Sequence, residues 1–492
     1  MNISKYSVFL NLIIFFINAI LYFLVLKNLD VDKFYLSVFY LSSFFLIFYT
    51  FNYKTIYFEK FLSAFIWLGF PFKLAIPYVA IIFGFEIKLF PEVSSNINFS
   101  KDVYNDAIAF STFGIVGFIF ASILRKNYIF FYPKTNRVIK NNLKLFYEKY
   151  KIKIIIFYLL VIFLITFLNL YFEIYQKGIY SEFSIKLIVP LFKWFLLMGL
   201  SSFACYFVYY DLVDNKNFTS SSLVLLLESF FSNISILSRA LIFNIAILFI
   251  ILFDQLKKIL RTKFPILLCL AIFSLVLFFL NINISSKLRS CVNNYSDINK
   301  NEKIFFSKKC MGINDIISEQ KSLITIKKLS SLSVARWVGI DSMMAIMNNK
   351  NELNLKYYLY FLNEKKLLNE KSYYEKHFLY NKKIETRIIN TNHLILPGYI
   401  SYQSISGSKF FVFLSCFFLG ILGAYLEKFT YAYSYNNFVI SAFISYLFVF
   451  RMIHFGYIPS NTLIYCLSII FTFLQFRVYE FILGKINIVK KK

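Results

Sequence analysis

The sequence predicts an all-α membrane protein that crosses the bilayer about 10 to 12 times and carries one large exported loop. Two observations lead to this fold class. Of the 492 residues, 59% are hydrophobic and 21% are aromatic, which is more apolar surface than a soluble domain needs. Apolar runs near the length of a bilayer-spanning helix also recur along the chain, with polar connections between them.

The candidate spans in the first half of the chain are residues 7–26, 34–50, 61–85, 106–124, 152–172 and 185–210. After an unusual stretch at 221–253, they are residues 264–283, 409–427, 437–456 and 460–482. The first run is too long for a cleavable signal and lacks a small-residue cleavage site, so we expect it to remain as a span. The chain then divides into N-terminal membrane helices at 1–284, a loop domain at 285–408, and C-terminal helices with a basic tail at 409–492.

Lysine and arginine in short loops orient the spans. Between Arg125 and Lys153, basic residues far outnumber the single acid Glu148, so this loop is predicted to be cytoplasmic. The C-terminal tail and, by counting back, the N-terminus are predicted to lie there too. The same counting places residues 285–408 outside, where Cys291 and Cys310 could form a disulfide.

The stretch 221–253 interrupts the alternation, because the basic residues on both of its sides are predicted to be cytoplasmic. One continuous helix of this length would be about 50 Å long, too long for one crossing and too short for two. A broken or re-entrant hairpin near Asn233–Arg239 restores the parity. Irregular backbone at that depth is tolerated only where protein buries it or where it lines a water-filled cavity. The topology therefore favours a functional site in this stretch.

A polar stripe runs along the same stretch. Glu228, Ser232, Ser235 and Arg239 follow one another at steps that place them on one helical face. An ionised group at membrane depth costs at least about 2.5–3.5 kcal/mol, so it normally faces a bundle interior, a water-filled cavity or a partner. We interpret the stripe as the lining of a substrate cavity. The structural alternative is that Glu228 and Arg239 neutralise each other through the serines.

Within the exported loop, Asp341 stands where an N-cap would begin a short helix at Ser342–Met347. Arg336 and Trp337 come just before it. The structural alternative to a functional role is a capped surface helix beside a buried tryptophan. The residues that follow, 350–387, are rich in lysine, glutamate and tyrosine and are predicted to form a solvated, partly helical lid.

Cations on or near the outer side indicate a possible chemistry. Arg239, Arg336 and Arg451 could bind a diphosphate, because the planar guanidinium makes bidentate, charge-assisted hydrogen bonds. His454 follows Arg451 at a spacing of three, which predicts one α-helical face, and a histidine there could transfer a proton. The set suits displacement of a lipid-linked diphosphate by a sugar hydroxyl, with cations stabilising the leaving anion in place of a metal. For each residue alone, snorkelling to headgroups or structural ion pairing is the alternative.

Other chemistries lack support in the sequence. No Walker A, GxSxG or HExxH pattern occurs, which argues against ATP hydrolysis, serine hydrolysis and zincin catalysis. The formal charge of +27 does not indicate a nucleic acid partner, because no RNA- or DNA-binding motif is present. Lysine also belongs, with the abundant Asn, Ile, Phe and Tyr, to the residues that A/T-rich codons encode. Asp30 and Asp32 could bind a metal, but two acids in a short loop are common by chance.

Four segments of the chain are LGFPFKL (68–74), LLLESFFSNISILSRALIF (225–243), RWVGIDSMMAI (336–346) and LPGYISYQSISGS (396–408). They resemble motifs of Wzy-type O-antigen polymerase-like membrane proteins, and their order along the chain matches as well. The resemblance implies a glycosyltransferase-C-like fold. It also implies polymerisation of oligosaccharide repeat units carried on undecaprenyl diphosphate, at the periplasmic face of the bacterial inner membrane and without a metal or cofactor.

By carry-over from this resemblance, Arg239 and Arg336 would bind the diphosphate, while Glu228, Asp341 or His393 would position or deprotonate the acceptor hydroxyl. The partners would be a polyprenyl-diphosphate-linked oligosaccharide, membrane lipids and a chain-length regulator. An O-antigen ligase, which uses the same donor, is one alternative. A lipid-linked oligosaccharide flippase is another, although a flippase should show two pseudo-symmetric halves and short loops.

Overall fold

The computed structural model describes residues 5–52, 55–82, 100–129, 132, 141–176, 188–213, 218–238, 265–285, 287–288, 337–364, 373–378, 397–455 and 459–485. Within these ranges the chain forms helices and turns, with no strand. The residues singled out from the sequence that lie outside them are Arg239, Cys291, Cys310, Arg336 and His393. Expectations that depend on those five residues stay predictions.

The first ten helices are α1 Lys5–Asn28, α2 Lys33–Asn52, α3 Tyr57–Trp67, α4 Lys73–Ile82, α5 Lys101–Tyr128, α6 Asn142–Phe172, α7 Ile188–Trp194, α8 Leu200–Val213, α9 Thr219–Ser235 and α10 Pro265–Ser285. The later helices are α11 Ile340–Met347, α12 Leu355–Leu362, α13 Tyr373–Phe378, α14 Tyr399–Ser404, α15 Lys409–Tyr433, α16 Phe438–Phe448 and α17 Pro459–Lys485. Three π-helical turns extend or join these helices. Leu68–Phe72 joins α3 to α4, Phe195–Gly199 joins α7 to α8, and Val449–Phe455 follows α16.

Nine helical stretches in the described ranges are long and apolar enough to cross a membrane, and Phe438–His454 is a shorter apolar helix. The chain is therefore a multi-pass, all-α membrane protein, as the sequence predicts. The central span is α5, of which 72% is buried, against 17% for α1 and 22% for α6. The outer helices expose large apolar side chains such as Phe23 and Phe157, as expected of a surface in contact with lipid tails.

The core forms around α5, which packs along α15 and also contacts α2, α11 and α14. Small residues allow the two long helices to approach closely: Gly117 of α5 lies against the Phe413 backbone, and Gly420 of α15 lies against Ala121. Such small-residue contacts are how membrane helices gain packing energy where lipid removes the hydrophobic driving force.

The membrane-spanning helices run along the bundle, which therefore has two ends. We call the end that carries residues 337–364 and 397–408 the loop end. There Lys101 pairs with Asp30 (2.8 Å), and Lys350 pairs with Asp106 (2.6 Å). We call the opposite end the closed end, because its polar groups are joined helix to helix.

The helix α9 ends at Ser235, within the segment where the sequence predicts a break. Leu237 adopts the left-handed conformation (φ 53°), and Ser238 N–H donates to Asn233 O (2.7 Å), which closes the helix in a Schellman-type turn. The carbonyl of Ser238 then accepts from Asn281 Nδ2 (3.2 Å) near the end of α10. The two helices therefore end on the same side. The helix thus ends inside the predicted segment. Whether the chain returns as a hairpin stays a prediction, because residues 239–253 lie outside the described residues.

The helix α11 corrects two expectations from the sequence. It begins at Ile340 with Gly339 as its N-cap, so Asp341 lies within the first turn and is not the cap. It is also not a surface helix, because Met343 and Met344 are fully buried against the bundle. The apolar run of α11 explains the difference, since a helix with so few polar side chains gains more by packing on α5 than by facing water. Trp337, expected to be buried, is only half-buried.

Candidate functional site at the loop end

The site begins at an irregularity in the third membrane span. The π-helical turn Leu68–Phe72 contains Pro71, which has no N–H to donate and so interrupts the regular ladder of helix hydrogen bonds. The hydroxyl of Tyr40 donates to the Pro71 carbonyl (3.0 Å) and stabilises this irregular backbone. The turn ends directly before Lys73, whose side chain leaves the helix at the loop end.

Lys73 is fully buried and forms an ion pair with a residue far away in the sequence. Its ammonium donates to Asp341 Oδ2 (2.6 Å) and to the Trp337 carbonyl. The other carboxylate oxygen, Asp341 Oδ1, accepts from the Gly339 N–H (3.2 Å). The Lys73 side chain is 1% exposed and that of Asp341 is 19% exposed, so the carboxylate alone has an open side.

Backbone packing holds the same two segments together. Gly69 of the π-helical turn and Gly339 before α11 are so close that a Cβ on Gly339 would collide with the Gly69 carbonyl, and one on Gly69 with the Val338 carbonyl. Only glycine permits this approach. The hydroxyl of Ser401 also donates to the Gly339 carbonyl (3.3 Å), which connects α14 to the same point.

A small cleft adjoins this contact, and we call it the loop-end cleft. It is lined by Phe65, Phe70, Val338, Gly398 and His454, among others. His454 is buried, and its Nε2 accepts from the Val338 N–H (3.4 Å), so the neutral ring carries its proton on Nδ1. Gly398 has φ of 77° and lies against the His454 carbonyl, which brings the start of α14 to the cleft.

Arg451 and His454 both lie in the π-helical turn Val449–Phe455. The prediction that they share one α-helical face is therefore wrong, because a π turn is wider and a spacing of three no longer returns to the same side. His454 faces Val338, whereas the Arg451 guanidinium lies over the Phe450 ring (5.5 Å) and interacts electrostatically with Lys193 of α7. Two cations from different membrane helices thus come near each other at the loop end.

Glu228 occupies a different part of the bundle. It is fully buried, and its carboxylate accepts from Ser201 of α8 (2.6 Å) and from Ser232 (2.8 Å). Farther along the stripe, Ser235 Oγ accepts from Asn169 of α6 (2.9 Å). The described half of the stripe therefore packs between α6 and α8. Arg239 lies outside the described ranges, so its predicted place at the end of the stripe stays a prediction.

The structure brings Asp341 and His454 to the same short segment, 337–341, and places Arg451 in the same π-helical turn as His454. The predicted meeting of Arg239, Arg336 and His393 stays a prediction. The sequence interpretation missed Lys73. A lysine inside an apolar run is costly at membrane depth, and the rule applied to Glu228 and Arg239 would have identified it too.

Both acids of the loop after α1 have partners within the protein. Asp30 pairs with Lys101, and Asp32 Oδ1 accepts from the Phe34 N–H (2.7 Å), at the start of α2. Within the described ranges, no group of three or more histidine, cysteine, aspartate or glutamate side chains could hold a metal ion.

No family model matches this chain, and neither a curated protein nor a solved structure matches it. Its function must therefore be inferred from its own residues and their geometry.

Proposed function

We propose that this chain is a glycosyltransferase that joins oligosaccharide repeat units, carried on a polyprenyl diphosphate such as undecaprenyl diphosphate, into a surface polysaccharide. In this proposal the protein is a multi-pass protein of the bacterial inner membrane with both termini in the cytoplasm. The loop end faces the periplasm, where the lipid-linked donor is presented.

One observation carries the proposal. Three of the four segments that resemble the polymerase motifs, far apart in the sequence, pack on one another at the loop-end cleft. LGFPFKL contributes Gly69 and Lys73, the segment after Arg336 contributes Gly339 and Asp341, and LPGYISYQSISGS contributes Gly398 and Ser401. Residues that only stabilise a membrane bundle have no reason to collect beside a cleft, whereas a site requires it.

The proposed reaction uses Asp341 as the group that receives the acceptor proton. The acceptor sugar hydroxyl attacks the anomeric carbon of the donor, a new C–O bond forms, and the bond to the lipid diphosphate breaks with its electron pair on the leaving phosphate oxygen. The proton of the hydroxyl passes to the Asp341 carboxylate. Lys73 orients that carboxylate and leaves its exposed side free for the hydroxyl.

Cations in the same region would stabilise the departing diphosphate. Arg451 and Lys193 repel each other electrostatically, and a dianion bound near them would relieve that repulsion. Arg336 is bonded directly to Trp337, whose carbonyl accepts from Lys73, and it is therefore proposed as a further diphosphate ligand together with Arg239. His393 and His454 are the other groups proposed to position or deprotonate the acceptor. Glu228, predicted from the sequence for the same role, is enclosed away from the cleft with both carboxylate oxygens bonded to serines, so it is assigned a structural role.

The test is the length ladder of the surface polysaccharide in the strain that carries this chain. A deletion strain is complemented with wild type, Arg239→Ala, Asp341→Asn or the matched control Asp106→Asn. Asp106 is also at the loop end and paired with a lysine, but it lies away from the cleft. We expect deletion to leave a single repeat unit on the lipid core. Wild type and the control should restore the ladder, and Arg239→Ala and Asp341→Asn should not, at equal protein levels.

Other outcomes point to other functions. Loss of all capped lipid, with long polymer accumulating on the carrier, would indicate a ligase. Repeat units trapped on the cytoplasmic face would indicate a flippase. A ladder that deletion leaves unchanged would contradict every glycosyltransferase reading of this chain.

A further inference from the structure

The loop end also carries a compact group of aromatic side chains, which we call the tyrosine platform. Its members come from α12 and α13, and they are Tyr357, Tyr360, Phe361, Tyr373, His377 and Phe378. Phe361 is fully buried at the centre, with the Tyr357 and His377 rings at 4.9 and 5.5 Å from it. The platform is thus built on a small core of its own.

Three tyrosine rings of the platform form a nearly parallel row. The Tyr360 and Tyr373 rings stack at 4.7 Å with only 6° between their planes, and Tyr357 continues the row at 6.4 Å and 13° from Tyr360. Tyr360 is 46% exposed, so the row reaches the surface. The stack covers the Tyr360 face that meets Tyr373, so the row offers a ligand the remaining exposed surface of the Tyr360 ring.

The platform is fixed to the elements that line the cleft. Tyr358 of α12 donates a hydrogen bond to Gln403 of α14 (2.7 Å), and its ring packs at 5.1 Å from Phe411 of α15. Gly407 packs against the Leu353 backbone just before α12. The helix α14 begins next to Gly398 of the cleft and is buried, so it connects the cleft to α12 through the protein interior.

Two buried hydroxyl groups in this region lack a hydrogen-bond partner among the described residues. They belong to Tyr357 of the platform and to Tyr402, whose ring lies 6.5 Å from Phe361. A buried polar group without a partner is costly, so each is a place where a ligand hydroxyl or a water molecule would bind. Nearby lysines add positive charge: Lys376 lies over the Tyr373 ring at 5.7 Å, and Lys356 is exposed.

We infer that the tyrosine platform is a saccharide-binding site that holds the polysaccharide beside the cleft. Sugar rings have faces rich in C–H groups, which stack on flat aromatic rings, and edges rich in hydroxyls, which bond to tyrosine and lysine. The platform offers both kinds of contact. The inference depends on the proposed function only for the identity of the saccharide, which is the polymer that this protein is proposed to build.

The direct test is binding of that saccharide to the purified full-length protein in nanodiscs. The probe is the strain's surface polysaccharide, freed from lipid by mild acid and fractionated to a few repeat units. Affinity is compared for wild type, Tyr360→Ala, Tyr360→Phe and Leu359→Ala. Leu359 is the matched control, because it is the preceding residue on α12 and is 51% exposed. We expect Tyr360→Ala to bind about 5–10-fold more weakly, while the other two stay within about twofold of wild type.

The polysaccharide ladder separates this inference from the proposed function. Tyr360→Ala should shorten the chains while linkages still form, whereas Asp341→Asn should abolish polymerisation. If Tyr360→Ala lowers the melting temperature, Tyr360→Leu supplies the same comparison with the apolar volume retained. Equal affinity of Tyr360→Ala and Leu359→Ala, or no binding by wild type, would contradict saccharide binding at the platform, even if Asp341→Asn abolishes the ladder. Contact of Tyr360 with lipid instead, seen as quenching by brominated lipids, would also overturn it.

Discussion

The closed end and the loop end of the bundle use buried ionic groups differently. At the closed end, Glu59 and Arg125 form a two-bond ion pair (2.8 and 2.6 Å) in which both side chains are at most 2% exposed. Glu427 accepts from the Tyr57 and Phe58 N–H groups (2.9 and 2.7 Å), where α3 begins. Each of these carboxylates joins one membrane helix to another, and protein encloses it completely.

At the loop end, Asp341 joins a membrane helix to a short segment between spans. Its partner Lys73 is buried, but the carboxylate keeps an exposed side next to a cleft. This difference distinguishes structural from functional charges in the bundle. A carboxylate that is fully bonded and enclosed stabilises the helices, while one held by a buried cation and open on one side is arranged to meet a ligand.

The largest effect is expected from Lys73→Met. The substitution leaves Asp341 without its cation, which should cost roughly 3–5 kcal/mol of stability and eliminate the ladder. The measurements are the thermal midpoint in detergent and the polysaccharide ladder. The control is Lys101→Met, which breaks an exposed pair at the same end and should leave the thermal midpoint and the ladder near those of wild type.

The double variant Lys73→Met with Asp341→Leu sharpens this comparison. Replacing both members of a buried pair by apolar groups often restores stability. A purely structural pair would then recover both the thermal midpoint and the ladder. We expect the midpoint to recover and the ladder to stay absent, and recovery of both would contradict the proposed role of Asp341.

A comparable loss of stability, without loss of function per molecule, is expected from Glu59→Gln. Arg125 would stay buried beside an uncharged amide, which should destabilise the bundle by roughly 3 kcal/mol. Because the closed end is far from the cleft, the protein that does fold should still build chains of normal length. Ladder length normalised to folded protein is the measurement. Polysaccharide chains of altered length at a normal protein level would contradict the assignment of a purely structural role to the closed end.

A smaller effect is expected from Gly339→Ala. The added methyl would meet the Gly69 carbonyl, so the segment before α11 must move away from the π-helical turn, at a cost of about 1–3 kcal/mol. Since Asp341 follows two residues later, its contact with Lys73 should lengthen and activity should fall more than stability. Gly484→Ala is the control, because the methyl there meets only the end of the Asn142 side chain. Equal effects of both variants would contradict the importance of the close contact.

Much of the fold could be predicted from local patterns. Apolar runs identify the spans, and the break after Ser235 could be inferred because charge parity and helix length disagreed over 221–253. The burial of α11 could also have been suspected from the run Met343–Met347, which has no polar side chain. Each of these features depends on neighbouring residues, which a sequence displays directly.

The candidate site was less accessible to such reasoning. Lys73 and Asp341 are separated by 268 positions, so no local pattern pairs them. The π-helical turn that carries Arg451 and His454 arises from packing on neighbouring helices and has no sequence rule comparable to an α-helical period. Asp341 itself was identified from its motif, but its partner required the tertiary structure.

The smallest expected effect concerns acid. Both histidines in the described ranges, His377 and His454, lie at the loop end, and His377 lies outside the membrane spans. At His377, burial lowers the pKa below its ordinary value, Glu352 opposes that shift, and Lys376 adds to it. Folding therefore favours the neutral ring. Its unfavourable contribution appears as the pH falls through the ordinary histidine pKa near 6.5, and is complete below the lowered folded pKa.

We accordingly expect His377→Asn to remove a small part of the loss of stability between pH 8 and pH 5. Because His377 is only partly buried, the change in thermal midpoint should stay below about 2 °C. The measurement compares wild type and variant at both pH values, with Asn363→Ala as a control on an exposed residue of the same region. A variant that loses more stability in acid than wild type would show that the protonated ring stabilises the platform, which is the opposite of the expected effect.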